Sequence, residues 1–265
     1  MPQKECIALL IGTGSVENAW NPVIKAFKDV MNIQVTPDGA NFLFANSIYL
    51  LRVYSTIGHP DAPKLLEISK RNMYLLKKAI AKNLHRAHVR KEIKVRPALK
   101  KILQRHVIAK EKSFSVITTN WDKTVDEIVS EEMKVIGINS SNPVFHIHGD
   151  VSDFENLYLP SEITEETFRT KTESFRIGLK HSAAGHALEK SNHLIIYGLS
   201  LDPLDAELAM TLTSAFNSKN LKEVTIINLE NEKAKIMERV CLLSFLRSDL
   251  KINFIDANSL NDNFV

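Results

Sequence analysis

Cysteine is scarce in this sequence, which contains only Cys6 and Cys241 among 265 residues. Two cysteines cannot form a four-cysteine zinc site, so a zinc module of that kind is excluded. Cys6 lies in the first apolar segment and Cys241 in a late helical pattern. We therefore interpret both as small core residues rather than as a disulfide or as catalytic thiols, and we expect no bound metal.

Long apolar runs are also missing, because no segment approaches the length that is needed to cross a bilayer. The first residues, Met1–Glu5, show neither the basic segment nor the apolar stretch of a signal peptide. We therefore expect a cytoplasmic protein that does not bind a membrane.

Acidic residues are nearly absent between Lys64 and Lys112, where three glutamates stand against sixteen lysines and arginines. This segment carries a net charge of +13, so the chain total of +3 leaves −10 for the remainder. Such a block would attract a nucleic acid or an acidic partner. The preferred interpretation is a solvated helix face balanced by acidic neighbours, because aromatic residues that stack on bases are nearly absent there.

Strand-like apolar runs alternate with helical patterns over most of the chain. The first run covers Cys6–Ile11, and a regular alternation begins at Phe114, which is typical of parallel strands joined by right-handed crossovers. The intervening segment is almost entirely helical. The sequence thus predicts an α/β domain formed by residues 1–35 and 110–265, interrupted after the first strand by a basic helical insertion or cap at residues 36–109.

Individual elements are predicted from the same patterns. Asp61 should cap a long helix after the break at Gly58-His59-Pro60. Residues 162–190 should form a polar surface segment with helical content. Further strands are predicted at 114–119, 134–138, 144–148, 193–199, 224–228 and 252–255, and helices at 122–133, 203–216 and 231–245.

Five of the predicted strands end in glycine or polar residues. Parallel strands bring their carboxyl ends to one edge of a sheet, so these sets should converge on one crevice. The first set could cradle a phosphate, although Glu17 replaces the third glycine of the dinucleotide fingerprint, and a structural turn is the alternative. The sets are Gly12-Thr13-Gly14-Ser15, Thr118-Thr119-Asn120-Trp121-Asp122, His146-Ile147-His148-Gly149-Asp150, Gly198-Leu199-Ser200-Leu201-Asp202 and Asn228-Leu229-Glu230.

In their order and spacing these motifs resemble the sirtuin superfamily, which binds NAD in a Rossmann-like domain and cleaves its nicotinamide–ribose bond. The resemblance covers the first strand and most of the chain from Phe114 to Glu230. It implies a Rossmann-like, mostly parallel sheet with helices on both faces, and NAD as the substrate. The residues that it places at the NAD phosphates are Gly12, Gly14, Ser15, Gly198 and Ser200.

The resemblance also implies roles around the reacting ribose. Asn120 would be a catalytic residue beside the nicotinamide ribose. Thr119 would be a neighbouring NAD-binding residue, and Asp122 would reach the nicotinamide carboxamide. Asn228 would lie near the adenine ribose, and His148 matches the catalytic histidine. An unperturbed imidazole, with a pKa of about 6.5, can accept a proton from a ribose hydroxyl or a water molecule.

Strand alternation places His146 on the same side of its strand as His148 but deeper in the sheet. We expect His146 to occupy the core or to position its neighbours. A His-x-His metal site is the alternative, and no third ligand stands near it in the sequence.

Two features depart from sirtuin deacylases. Their Gly-Ile-Pro-Asp-Phe-Arg loop has no match, since Val16–Pro22 reads Val-Glu-Asn-Ala-Trp-Asn-Pro, and their zinc module is absent. The pattern is closer to the sirtuin-like domains of bacterial antiphage systems, whose family activity is hydrolysis of NAD to ADP-ribose and nicotinamide.

We therefore expect an NAD glycohydrolase that acts as an abortive-infection effector and is regulated by homo-oligomerisation or by an activating protein partner. The alternatives are a non-catalytic module that senses NAD or ADP-ribose, an NAD-dependent protein deacylase, and a nucleic-acid binder.

Overall fold

A computed structural model describes residues 6–108, 113–135, 144–245 and 247–261. The strands in this part of the chain are β1 Cys6–Ile11, β2 Val16–Glu17, β3 Lys94–Val95, β4 Ser113–Thr118, β5 Phe145–His146, β6 His193–Tyr197, β7 Glu223–Asn228 and β8 Lys251–Asp256. The helices are α1 Asn21–Met31, α2 Pro37–Thr56, α3 Ala62–Val89, α4 Pro97–Ile102, α5 Thr124–Val135, α6 Lys171–Glu189, α7 Ala206–Phe216, α8 Lys233–Leu243 and α9 Ala257–Asn261.

Six strands form one parallel sheet in the order β5-β4-β1-β6-β7-β8. Numbered within the sheet in chain order, they run 3-2-1-4-5-6, which is the order of doubly wound dinucleotide-binding folds. The predicted Rossmann-like α/β fold is thus confirmed. The strand order reverses between β1 and β6, and this switch point is where such folds bind ligands.

Helices cover both faces of the sheet. The side chains of Ala8 and Leu10 on β1 pack with buried residues of α6, α7 and α8. Leu9 and Ile11 point to the other face, where they pack with α4, α5 and α9. Because β1 is buried on both faces, its sequence is continuously apolar rather than alternating.

A third core lies among α1, α2 and α3, where Phe27, Phe44 and Leu76 are fully buried. Helix α1 precedes the predicted boundary at residue 36 but shares this core, whereas α4, inside the predicted insertion, packs on the sheet. The short strand β3 also lies in that segment and pairs antiparallel with β2. A two-residue strand leaves no alternating pattern in the sequence, so it was not predicted.

The structure differs from the predicted elements in several details. Asp61 stands at the N-cap of α3, but its side chain makes no capping hydrogen bond. Lys134 and Val135 belong to α5 rather than to a strand, and the rest of that predicted strand, residues 136–138, lies outside the described residues. Only residues 171–189 of the predicted surface segment are helical, and Ile177, Ala184 and Leu188 of this helix are buried.

Among the described residues, no helix is both long and apolar enough to span a membrane.

Candidate active site

A pocket opens at the carboxyl edge of the sheet, next to the switch point between β1 and β6. It encloses about 890 Å³, counting space that is continuous with solvent. Strand-end residues form one side, and Trp20 and Val23 near the start of α1, with Leu84 of α3, form part of the other. Four of the predicted site residues line this pocket, namely Thr119, Asp122, His148 and Ser200. The other six do not line it: Gly12, Gly14, Ser15, Asn120, Gly198 and Asn228.

The glycine turns after β1 and β6 pack directly on each other. The N–H of Gly14 donates to the carbonyl oxygen of Gly198 at 2.9 Å, and that of Gly12 donates to Tyr197 at 2.9 Å. A Cβ atom at Gly12 would lie 2.6 Å from the Gly198 oxygen. This close packing gives the glycines a structural reason, because a side chain would not fit in either turn. The N–H groups of Gly12 and Gly14 both donate to carbonyl oxygens of the chain, so phosphate binding by these groups remains a prediction.

Asn120 is 1% exposed, and its chain neighbours Thr119 and Trp121 line the pocket. Its Nδ2 donates to Oγ of Ser15 at 3.4 Å, and that hydroxyl donates to the carbonyl oxygen of Gly12 at 2.7 Å. Its Oδ1 has no hydrogen-bond partner among the described residues. Buried side-chain oxygens are normally hydrogen-bonded, so this atom is unusual.

His146 holds the backbone of Asn120 in place. Its Nδ1 donates to the carbonyl oxygen of Asn120 at 2.9 Å, and its Nε2 lies 2.8 Å from Oδ2 of Asp126 on α5. Both ring nitrogens are therefore engaged in protein contacts, which matches the predicted positioning role. In the described part of the chain, no group of three or more His, Cys, Asp or Glu side chains could hold a metal ion.

Asp122 and Asn228 also have structural partners. Oδ1 of Asp122 accepts hydrogen bonds from the backbone N–H and the hydroxyl of Thr124, at the start of α5. Nδ2 of Asn228 donates at 2.8 Å to the carbonyl oxygen of Leu199, which joins the end of β7 to the turn after β6. Asp122 still contributes to the pocket wall, whereas Asn228 supports the turn beneath it.

His148 lines the pocket beside the carboxylate of Asp205, a residue that the sequence patterns did not indicate. Its ring stacks on Tyr158, with centroids 5.1 Å apart and planes 17° apart. Its Nε2 lies 3.1 Å from Oδ2 of Asp205, a distance for an ion pair, but the two atoms lack hydrogen-bond geometry. Oδ1 of Asp205 accepts from the N–H of Leu208 and thereby caps α7. The sequence pattern predicted a helix that begins at Pro203, so Asp205 was not recognised as the N-cap residue.

A second histidine, His181, lies near His148 and Tyr158. The ring of Tyr158 also contacts His181 of α6 at 5.1 Å, and Nδ1 of His181 lies 3.4 Å from Oε2 of Glu207. The hydroxyl of Tyr158 donates to the carbonyl oxygen of Glu162 and lies 3.1 Å from Glu207. Burial lowers the pKa of His181 and raises the pKa of Tyr158, so both are neutral near pH 7.

Stability should depend on pH through His181. Burial is the largest influence on its pKa, and Arg169 and His148 lower it further, whereas Glu207 and Asp205 raise it. Its folded-state pKa is below the unfolded value of about 6.5, so protonation of the unfolded chain should destabilise the fold as pH falls below that value. We expect His181→Asn to lose less unfolding free energy than wild type between about pH 8 and about pH 5.

The matched control for this prediction is His186→Asn, because His186 is exposed on the same helix. Urea unfolding at each pH measures the effect. Identical pH slopes for His181→Asn and wild type would contradict it.

An ion pair between the partly exposed Arg52 and the buried Glu166 fixes the segment that follows Tyr158 and Pro160 of the pocket wall. Arg52 of α2 donates from Nε and Nη2 to the carboxylate of Glu166, at 2.9 and 2.6 Å, and this hydrogen bonding raises the pKa of Arg52. The Glu166 side chain is only 1% exposed. The helical core and the pocket wall are therefore connected by a bidentate contact.

Replacing Arg52 with methionine should leave a buried carboxylate without its cation. We expect a loss of about 1–3 kcal/mol of unfolding free energy, since the aliphatic stem is retained and the hydrogen bonds are not. Arg71→Met is the control, because Arg71 is exposed on α3. Urea unfolding that shows equal losses for the two variants would count against the role of this ion pair.

No protein-family model matches the chain, and no curated protein sequence matches it.

Proposed function

We propose that this chain is a sirtuin-like NAD glycohydrolase, which converts NAD and water to ADP-ribose and nicotinamide. The observation that carries the proposal is a pair of buried atoms, Oδ1 of Asn120 and Nε2 of His148, that lack hydrogen-bond partners among the described residues. These are the two residues that the resemblance to the sirtuin superfamily assigns to catalysis. Buried polar atoms without partners at a switch point suit the hydroxyl groups of a bound ligand.

The side chains fit the chemistry of glycosidic hydrolysis. The imidazole of His148 accepts a proton from a ribose hydroxyl or from the attacking water, and the carboxylate of Asp205 stabilises the positive charge that results. Oδ1 of Asn120 accepts a hydrogen bond from a substrate hydroxyl. Water forms a bond to the ribose carbon, the bond to the pyridinium nitrogen breaks, nicotinamide leaves as a neutral molecule, and one proton is released.

Asp205→Asn should separate the charge of this residue from its structural role. Asparagine caps helices as well as aspartate does, so α7 should remain intact. We expect kcat for NAD cleavage to fall at least about tenfold, equivalent to about 1.4 kcal/mol in the transition state, with KM and the unfolding midpoint nearly unchanged.

The control is Asp61→Asn, which removes the same charge at the exposed N-cap of α3, outside the pocket. It should cleave NAD at the wild-type rate. Equal rates for Asp205→Asn and wild type would remove Asp205 from the mechanism.

The proposed activity is tested by incubating the purified chain with NAD and separating the products by liquid chromatography. We expect nicotinamide and ADP-ribose in equal amounts. Tight binding of NAD without products would instead indicate a sensing module, and NAD consumption that requires an acylated peptide would indicate a deacylase. Absence of turnover in every oligomeric and partner-bound state would refute the proposal.

We place this activity in antiphage defence in the cytoplasm, in line with the bacterial systems that the sequence resembles. An enzyme that depletes NAD must be inactive until infection, so we propose activation by homo-oligomerisation or by a protein or nucleic-acid partner at the basic segment. Equal specific activity of the monomer and of every assembled form would contradict such regulation.

A further inference from the structure

A second pocket lies between α1 and α3, the two helices that also contribute to the wall of the candidate active site. It encloses about 630 Å³, counting space that is continuous with solvent. Helix α1 contributes Asn21 and Lys25, α3 contributes Asn83 and Arg86, and Arg90 follows the last residue of α3. These residues differ from those that line the first pocket.

The charges around this pocket are mostly positive. Lys25, Arg86 and Arg90 line it together with a single acid, Glu92, whose Oε1 lies 3.7 Å from Nη1 of Arg90. In the described part of the chain, neither Lys25 nor Arg86 forms an ion pair, and the first turn of α1 contains no acidic residue. Like charges repel each other across such a pocket, so an anion there would be stabilising.

Neutral hydrogen-bonding groups line the same space and are held in place. Asn83 is 6% exposed, and its Nδ2 donates to the carbonyl oxygen of Pro22 and to Oδ2 of Asp29, each at 3.4 Å. Asn18 has a left-handed backbone, with φ of 60°, and its Nδ2 donates to the carbonyl oxygen of Glu92 at 3.3 Å. The pocket wall is therefore tied to both flanking helices and to the segment that follows α3.

We propose that this pocket binds a small anion that carries a phosphate group. Guanidinium groups such as those of Arg86 and Arg90 match phosphate oxygens in a bidentate geometry, and Lys25 adds a compact positive charge. The proposed NAD chemistry uses none of these residues, so the site is independent of that function. Its occupant would contact the same two helices that contribute to the wall of the candidate active site.

The test is a calorimetric titration of the full chain with inorganic pyrophosphate at low ionic strength. We expect wild type to bind and the Arg86→Gln and Lys25→Gln variants to bind at least about tenfold more weakly. Arg71→Gln is the matched control, because Arg71 is exposed on α3 outside the pocket. It should bind as wild type does.

A variant in the candidate active site, His148→Ala, separates the two pockets and should also retain pyrophosphate binding. Circular dichroism confirms that each variant is folded. The proposal is overturned if wild type does not bind pyrophosphate, if Arg71→Gln weakens binding as much as Arg86→Gln does, or if His148→Ala abolishes it.

Discussion

Replacing His148 with alanine should reduce the rate of nicotinamide release from NAD by about 10²–10⁴-fold, the usual contribution of a general base. The side chain is 12% exposed and stacks on Tyr158, so its removal also loses packing, and circular dichroism is needed to confirm that the variant is folded. Because Asn120 keeps its own contacts, NAD binding should weaken much less than the rate. Single-turnover kinetics measures the rate, and equilibrium titration with NAD measures the binding.

His186→Ala is the matched control for this prediction, because His186 is exposed on α6 and does not line the pocket. It should cleave NAD at the wild-type rate. If His148→Ala kept more than about a tenth of wild-type activity, proton transfer by this imidazole would not be the main source of rate enhancement.

Gly198→Ala should cause the largest loss of stability. Gly198 has φ of +67°, and a Cβ atom there would lie 2.6 Å from the backbone nitrogen of Ser15 and 2.7 Å from the carbonyl carbon of Gly14. Backbone atoms cannot move aside as a flexible side chain can. We expect a loss of more than about 2 kcal/mol of unfolding free energy, from overpacking and from the left-handed backbone together.

The same substitution should disturb the site, because Ser15 holds Nδ2 of Asn120. Gly58→Ala is the control, since a Cβ at that glycine would meet no atom within 4 Å. It should change stability by no more than about 0.5 kcal/mol. Equal denaturation midpoints for Gly198→Ala and wild type would show that the two turns are not packed as described.

The sheet could be predicted from the sequence because its central strands are buried on both faces. Segments such as Cys6–Ile11 and His193–Tyr197 are apolar throughout, and their alternation with helices requires parallel pairing. The same reasoning brought strand-end residues such as Thr119 and His148 to one pocket. It could not show that Gly12 and Gly14 would pack on Gly198, since that contact depends on the distance between two turns.

The carboxylate and aromatic neighbours of His148 could not be predicted in this way. Asp205 reaches it from the N-cap of α7, and Tyr158 lies in a loop before the predicted surface segment at 162–190. His181 lies in the helix within that segment. Single polar residues have no periodicity, so only the packing of distant elements reveals such clusters. A helix boundary drawn at Asp205 rather than at Pro203 would have been the one sequence signal for this carboxylate.

We propose that NAD binds at the switch point with its reacting ribose against Asn120 and His148. A crystal structure of the His148→Ala variant with NAD tests it most directly, because the substrate should persist in a variant that cannot cleave it. We expect a hydroxyl of the nicotinamide ribose within hydrogen-bond distance of Oδ1 of Asn120. NAD bound elsewhere, or a ribose that leaves this oxygen without a partner, would contradict the claim.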